Sequence, residues 1–451
     1  MIFRFDLKHR VRAGAVLAVA IAVAIATAGA AARVPTGAVT GLGRGWTTTS
    51  IGPGDTSIGA LLEQPDGKLV AAGTGLVMGS GLSIKREYMA LVRYNPDGSL
   101  DTSFGHGGRV TTSVGRDSSA TGLIRQPDGK LVVAGISSNK GDTAEVSLVR
   151  YNTDGSLDTG FGHGGAVTTQ ASGGVMVNAI TTFLVRQPNG KLVAATMGNR
   201  GTSSYIVLIR YNPNGRLDTG FGAAGKAETR INTLTYFPSA LVLQTDGKLV
   251  AAAGTSSAQT HGDYAIVRYN TNGSLDTSYG ADGKVIAAGT SDNDIYEGLA
   301  VLPDGDVIAA GAGSSASLAL TAYAPNGKPD KRWGHDGTQT PTLSQGSISY
   351  DGALLATPDG KIIAAGAADV SQSGPTDSFI LRYNRNGRLD QSFGRHGEVL
   401  TGFAGGGLAW VLLYQQDGKL IAAGSSATST RYTFALARFN SNGTLDTSFG
   451  K

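Results

Sequence analysis

The sequence predicts an all-β fold, a single seven-bladed β-propeller of four-stranded antiparallel blades. Three observations carry the prediction. A two-part phrase is written seven times along the 451 residues. Each copy holds four short β-patterned runs divided by turn residues. No sustained 3.6-residue periodicity follows residue 32.

The first phrase, QPDGKLVAAG, begins at Gln64 and returns in varied form at Gln126, Gln187, Gln244, Leu302, Thr357 and Gln415. The second, YNPDGSLDTSFGHGG, begins at Tyr94 and returns at Tyr151, Tyr211, Tyr269, Tyr323, Tyr383 and Phe439. Successive copies lie 55 to 62 residues apart. In the first copy, Ala60–Gln64 is a short apolar run and reads as the first strand. Lys68–Thr74 reads as the second. Met89–Asn95 alternates at period two and reads as the third. The fourth is placed at Ser99–Phe104, continued past a Gly-rich bend by Arg109–Thr112. In Pro65-Asp66-Gly67 and Pro96-Asp97-Gly98, proline presets a type I turn and glycine takes the left-handed position after it.

The final copy stops at LDTSFGK, before the G-x-V-T-T that ends the fourth strand elsewhere. Residues Gly43–Ser50, GRGWTTTS, align with that missing piece. Residues near Trp46–Thr49 are therefore expected to complete blade seven, and so to remove the open sheet edges of a linear array.

Residues 1–32 read as a signal peptide. Arg4, Lys8, Arg10 and Arg12 precede the apolar stretch Ala13–Ala30, and Ala28-Gly29-Ala30 or Ala30-Ala31-Ala32 offers a cleavage site. The alternative is an uncleaved anchor, because the stretch approaches the ~20 residues that span a bilayer. Residues 33–42 then form a short linker, and 43–451 the propeller. The segment's four cations against Asp6 account for three of the chain's four net positive charges. The remaining chain is nearly neutral, which gives no electrostatic reason to expect nucleic acid or an anionic membrane as partner. The absence of cysteine excludes disulfides, thiolate metal sites and cysteine nucleophiles.

The motifs Q-P-D-G-K-L-V-A-A-G and R-Y-N-x-D-G-x-L-D-x-x-F-G resemble those of the bacterial delta-sixty repeat family, propellers distantly like the NHL type. The resemblance covers residues 43–451 and implies a secreted or surface protein with no established reaction. The fifth unit departs most: Asp306 stands for the lysine, Ala322 for the arginine, Pro329 for the leucine and Trp333 for the phenylalanine.

Repetition within one chain separates scaffold from site, because a residue present in every blade serves what every blade needs. Asp101, Asp158, Asp218, Asp276, Asp330, Asp390 and Asp446 are expected to cap turn amides, paired with Arg93, Arg150, Arg210, Arg268, Arg382 and Arg438 where these exist. In blade five, Lys331 or Arg332 is left to answer Asp330. Lys68, Lys130, Lys191, Lys248, Lys361 and Lys419 read as solvated turn lysines. NPDGSLD is no EF-hand loop, since Arg93 stands where an acid is needed. His106, His163, His335 and His396 recur in the Gly-rich bend. Outer strands of neighbouring blades stand roughly 15 Å apart, so these histidines cannot share a zinc ion bound at ~2.1 Å. No G-x-S-x-G or H-E-x-x-H motif occurs.

In such a meander the two PDG-type turns share one face, short and uniform. The loops between the second and third strands, and between one blade and the next, share the other and vary; binding is expected there. The candidate site is an acidic and aromatic channel mouth. It contains Tyr296, Glu297, Tyr350, Asp351 and Trp410 as ligand-binding residues. Asp292, Asp294, Glu297 and Asp351 are candidate Ca²⁺ ligands. Asp55, Asp117, Asn178 and Asn293 share a further loop column. The function expected is a secreted, monomeric, non-catalytic scaffold that binds an extracellular glycan, cell-wall component or protein. The alternative is a calcium-dependent propeller hydrolase or lyase acting at the mouth.

Overall fold

A computed structural model of the chain describes residues 45–450. The exceptions are Pro53 and residues 80–83, 140–143, 172–181, 201–202, 232–233, 257–262, 289–294, 313–317, 370–376, 403–406 and 428–430. Seven antiparallel sheets are arranged as a seven-bladed propeller. The first blade consists of β2 (Thr56–Glu63), β3 (Leu69–Met78), β4 (Ile84–Tyr94) and β5 (Arg109–Thr112), paired in chain order. The short strand β1 (Trp46–Thr49) precedes them and pairs instead with Tyr432–Phe439, as the outer strand of the last sheet. The innermost strands contact one another in a ring, and Gly407–Tyr414 of the last blade meets β2 of the first.

Burial explains the phrase LVAAG. Both faces of a propeller strand pack against neighbouring blades, so the second strand is apolar at every position rather than at alternate ones. Val70 and Ala72 enter a core shared with the second blade; Leu69 and Ala71 enter one shared with the seventh. Seven such cores lie between successive sheets. The recurring alanines keep the sheets close near the axis. At Gly73 an added Cβ would meet the Ser57 carbonyl at 1.9 Å.

The fourth strand differs from its expected extent. Only Arg109–Thr112 is extended; Ser99–Phe104 forms successive turns, with one isolated bridge between Tyr94 and Leu100. The Asp101 side chain accepts from the Ser103 amide at 3.1 Å and turns the chain there, which overrides the alternating pattern. The PDG turns have the expected form: the Gly67 and Gly98 amides donate to Gln64 and Asn95 carbonyls, with φ of +77° and +86°.

Two glycine columns of the second phrase behave differently. The turn glycine, such as Gly215 (φ +87°), packs against the ring of the preceding blade, and a Cβ there would lie 2.8 Å from Phe161. The bend position of Gly107 (φ +58°) has open space. The chain itself places Ala224, Asp282, Asp336 and His396 there at φ of 50–58°. Gly215→Ala is therefore expected to cost about 2 kcal/mol or more by strain and overlap. Gly107→Asp should cost under about 1 kcal/mol. Thermal melts of the two variants would check this, and equal losses would remove the packing argument.

Candidate functional site

The turn face is dominated by one repeated polar cluster. In six blades the aspartate of the second phrase accepts from the arginine Nε at 2.6–2.8 Å. The same carboxylate oxygen takes the lysine Nζ of the first phrase at 2.8–2.9 Å. This corrects the reading of those lysines as merely solvated: each ammonium meets an aspartate 27 to 33 residues further along the chain, on another hairpin of the blade. Burial works to raise the Asp101 carboxyl, but the Ser103 hydroxyl, Lys68, the Ser103 amide and Arg93 together hold it well below the usual carboxylate range.

The arginine also reaches out of its own blade. Its Nη1 donates to a backbone carbonyl in the next blade's turn: Arg93 to Thr153, Arg150 to Pro213, Arg210 to Thr271, Arg268 to Pro325, Arg382 to Ser441 and Arg438 to Pro96. Its guanidinium lies 4.4–4.6 Å from the centroid of the aromatic ring that follows the aspartate. The glycine after that ring donates to the neighbouring turn in all seven blades, from Gly105 to Asp154 through Gly450 to Asp97. The phrase is therefore an interblade clasp, and its charged residues are consumed by the scaffold.

Blade five is built otherwise. Arg332 lies two residues from Asp330 and bonds both of its oxygens, at 2.7 and 3.0 Å. Across the seam to blade six, Arg385 pairs with Asp304 at 2.6 Å. The four bend histidines are exposed. Among the described residues no group of three or more His, Cys, Asp or Glu is arranged to hold a metal.

The loop face has its own recurrent geometry. The inner strands slip register at one column: between Ile58 and Ala60, Pro238 and Ala240, Tyr296 and Gly298, Ser349 and Ala353, and Ala409 and Val411. In blade two, Ser118 pairs Ser137 while Gly122 pairs Ala134, so an extra residue sits there as well. Such bulges re-aim a side chain out of the regular ladder. Three candidate positions, Glu297, Asp351 and Trp410, fall inside these slips, and Tyr296 and Tyr350 lie in or beside them. Trp410 is half-buried, and its indole N–H donates to the Ile58 carbonyl of blade one at 2.6 Å. Thr121 bridges likewise to the Thr182 carbonyl and amide in blade three, at 3.0 and 2.8 Å. Tyr296, Glu297, Tyr350 and Asp351 have their backbones in strands Ile295–Val301 and Ser347–Ala356, but their side chains lie outside what is described. Asp292 and Asp294 lie outside the described residues.

The loop column reads as structural where it is described. Asp55 accepts the Tyr432 amide at 2.7 Å and Asp117 the Glu87 amide at 3.1 Å, each tying a loop to the third strand of the preceding blade. Asn178 and Asn293 lie outside the described residues. A groove of about 240 Å³ lies on the opposite, turn face at the closing seam. It is lined by Glu63, Gln415, Gln416 and Arg438 among others. Glu63 already accepts from Gln415 Nε2 at 2.9 Å and the Gln416 amide at 3.1 Å.

The fold and its clasps define a closed repeat propeller. The family model described as a domain of unknown function (DUF5122) beta-propeller matches residues 64–104, 126–161, 187–221, 244–279, 357–393 and 415–449, which are six of the seven repeats. The chain belongs to this family, in keeping with a delta-sixty type propeller. No curated protein matches the sequence. Solved structures similar to the chain include a Dyadobacter fermentans protein of unknown function (11% identity, 88% of this chain and 98% of that one, TM-score 0.45). Others are the Pseudomonas aeruginosa periplasmic gluconolactonase PpgL (15%, 76% and 87%, 0.46) and the Hadza microbial sialidase Hz136 (11%, 79% and 74%, 0.45). None is close enough to transfer an activity to this chain.

Two substitutions separate the faces. Arg210→Ala is expected to destabilise by about 3 kcal/mol, since it leaves buried Asp218 with Lys191 alone and opens one blade seam. Trp410→Phe should cost about 1 kcal/mol, one hydrogen bond. Thermal melts would check both; a negligible loss for Arg210→Ala would mean that the clasp contributes little to stability.

Proposed function

We propose that the chain is an exported, non-catalytic binding scaffold whose loop face takes an extracellular glycan, cell-wall component or protein. The carrying observation is the bulged column of the inner strands. Six of the seven blades keep the same turn-face chemistry, yet this column changes from Gly59 and Thr121 to Ser239, Glu297, Gly352 and Trp410. Constancy on one face and variation on the other is how a rigid support carries a specific surface. The mixture of hydroxyl, carboxylate and indole groups suits a neutral, polyhydroxylated or peptide surface better than a polyanion.

In this proposal residues 1–32 direct export, and 43–451 form the monomeric binding unit. The deciding measurement is the melting temperature of residues 33–451 with a glycan panel, with Ca²⁺ and with EDTA. A ligand that binds only the folded state raises it by mass action. The expected result is a rise with a particular saccharide or cell-wall fragment that is lost in Glu297→Ala or Asp351→Ala and unaffected by EDTA. A calcium-dependent rise lost in those same variants would overturn this in favour of a metal-dependent hydrolase or lyase at the mouth.

A further inference from the structure

We propose that blade five contains a pH-sensitive joint between its two turn-face hairpins, closed by a proton that Asp306 shares with Asp330 and loosened when that proton leaves. Six blades place a lysine ammonium 2.8–2.9 Å from the clasp aspartate. In blade five the residue at that position is Asp306, and the clasp arginine is replaced by Ala322. Asp306 and Asp330 are only 6% and 8% exposed. Two carboxyls thus meet in a buried pocket shaped elsewhere for two cations. Like charges so close cannot both ionise freely, and one carboxyl keeps its proton to donate to the other.

The groups facing Asp306 are few. Asp304 lies in the same turn, and Asp330 and Arg332 come from the turn after the third strand. Arg385, from blade six, acts on it from across the seam. Arg332 bonds Asp330, and Arg385 bonds Asp304, so the two cations are committed to the other two acids. Burial, then Asp304 and Asp330, raise Asp306 to about 6 from the ordinary aspartate value. Asp330 moves the other way, held down chiefly by Arg332, and so stays ionised above pH 5.

The sign follows. An acid whose folded pKa is raised favours the folded state fully below its unfolded value and loses that contribution as pH rises through the folded value. The clasps of the other blades have depressed aspartates, which lose stability only toward strong acid. Glu87 and Asp377 are raised by burial as well, so the part of a change between pH 5 and 7 that belongs to Asp306 is the part that Asp306→Asn removes. The pairing of Arg385 with Asp304 is solvent-exposed and offsets little of it.

The test is the folding equilibrium of the whole chain at pH 5 and pH 7, with hydrogen exchange to locate the change. The expected result is a loss of a few-fold in the folding constant from pH 5 to 7, with about tenfold as the ceiling before screening. Amide protection should fall in Val307–Ala312 and Leu318–Tyr323. Asp306→Asn, which donates to Asp330 without titrating, should fold, reduce the pH step and restore amide protection in blade five at pH 7. Three outcomes would overturn the proposal: a flat wild-type profile, the same step in Asp306→Asn, or a step erased by added K⁺ or Ca²⁺. The last would mean that the pair takes a metal cation rather than a proton.

Discussion

The carboxylate that ends each third-to-fourth-strand turn is the point on which the propeller's order depends. In six blades it holds a lysine from one hairpin and an arginine from the next, and the arginine carries the link into the following blade. One residue therefore fixes three things: the turn it sits in, the spacing of two hairpins within a blade, and the angle to the neighbour. A buried carboxylate tolerates this only while its cations remain, because a single missing partner strands a charge in low dielectric. The phrase is repeated as a unit for that reason. No part of it can drift alone.

Ring closure follows from the same arrangement. Every blade offers a glycine amide forward, and six also an arginine, to backbone carbonyls of the next blade, so a linear array would leave the last of each unused. The last arginine, Arg438, finds the carbonyl of Pro96, and Gly450 finds Asp97, both in blade one. The seam is reinforced along the channel by Trp410 to Ile58 at one end and Gln415 to Glu63 at the other. β1 supplies the outer strand of that same blade, where Thr49 accepts the Tyr94 hydroxyl at 3.0 Å across the seam.

Much of this was legible in the sequence because seven internal copies act as their own comparison. The blade count, the turns and the pairing of arginine with aspartate all follow from columns that stay constant. Blade five tested that pairing, and Arg332 answers Asp330 as the local spacing allows. The lysine was misjudged because its own turn aspartate lies two residues away in sequence, while the true partner lies on another hairpin. The interblade acceptors were invisible for a different reason. They are backbone carbonyls, so Pro96, Thr153, Thr271 and Ser441 can share one position with no common side chain. Glu297, Asp351 and Trp410, named from the sequence as part of a channel mouth, fall in inner-strand bulges. What projects from them cannot be read from spacing, since a bulge alters direction without altering pattern.

Blade five shows how such a clasp changes during divergence. It has lost both cations from their usual places rather than one, which avoids a half-broken pair. The charge left on Asp330 is met from within its own turn by Arg332, and the lost interblade link is replaced from the opposite side by Arg385 reaching back to Asp304. The replacement is weaker in kind: an exposed ion pair stands for a buried one, and a shared proton for an ammonium. The glycine amide of Gly334 still holds the Asn386 carbonyl at 2.8 Å, so the backbone geometry of the joint survives while its electrostatics do not. A ring of otherwise equivalent seams thereby acquires one that differs, and inner strand Ile295–Val301 of that same blade carries Tyr296 and Glu297 toward the variable face.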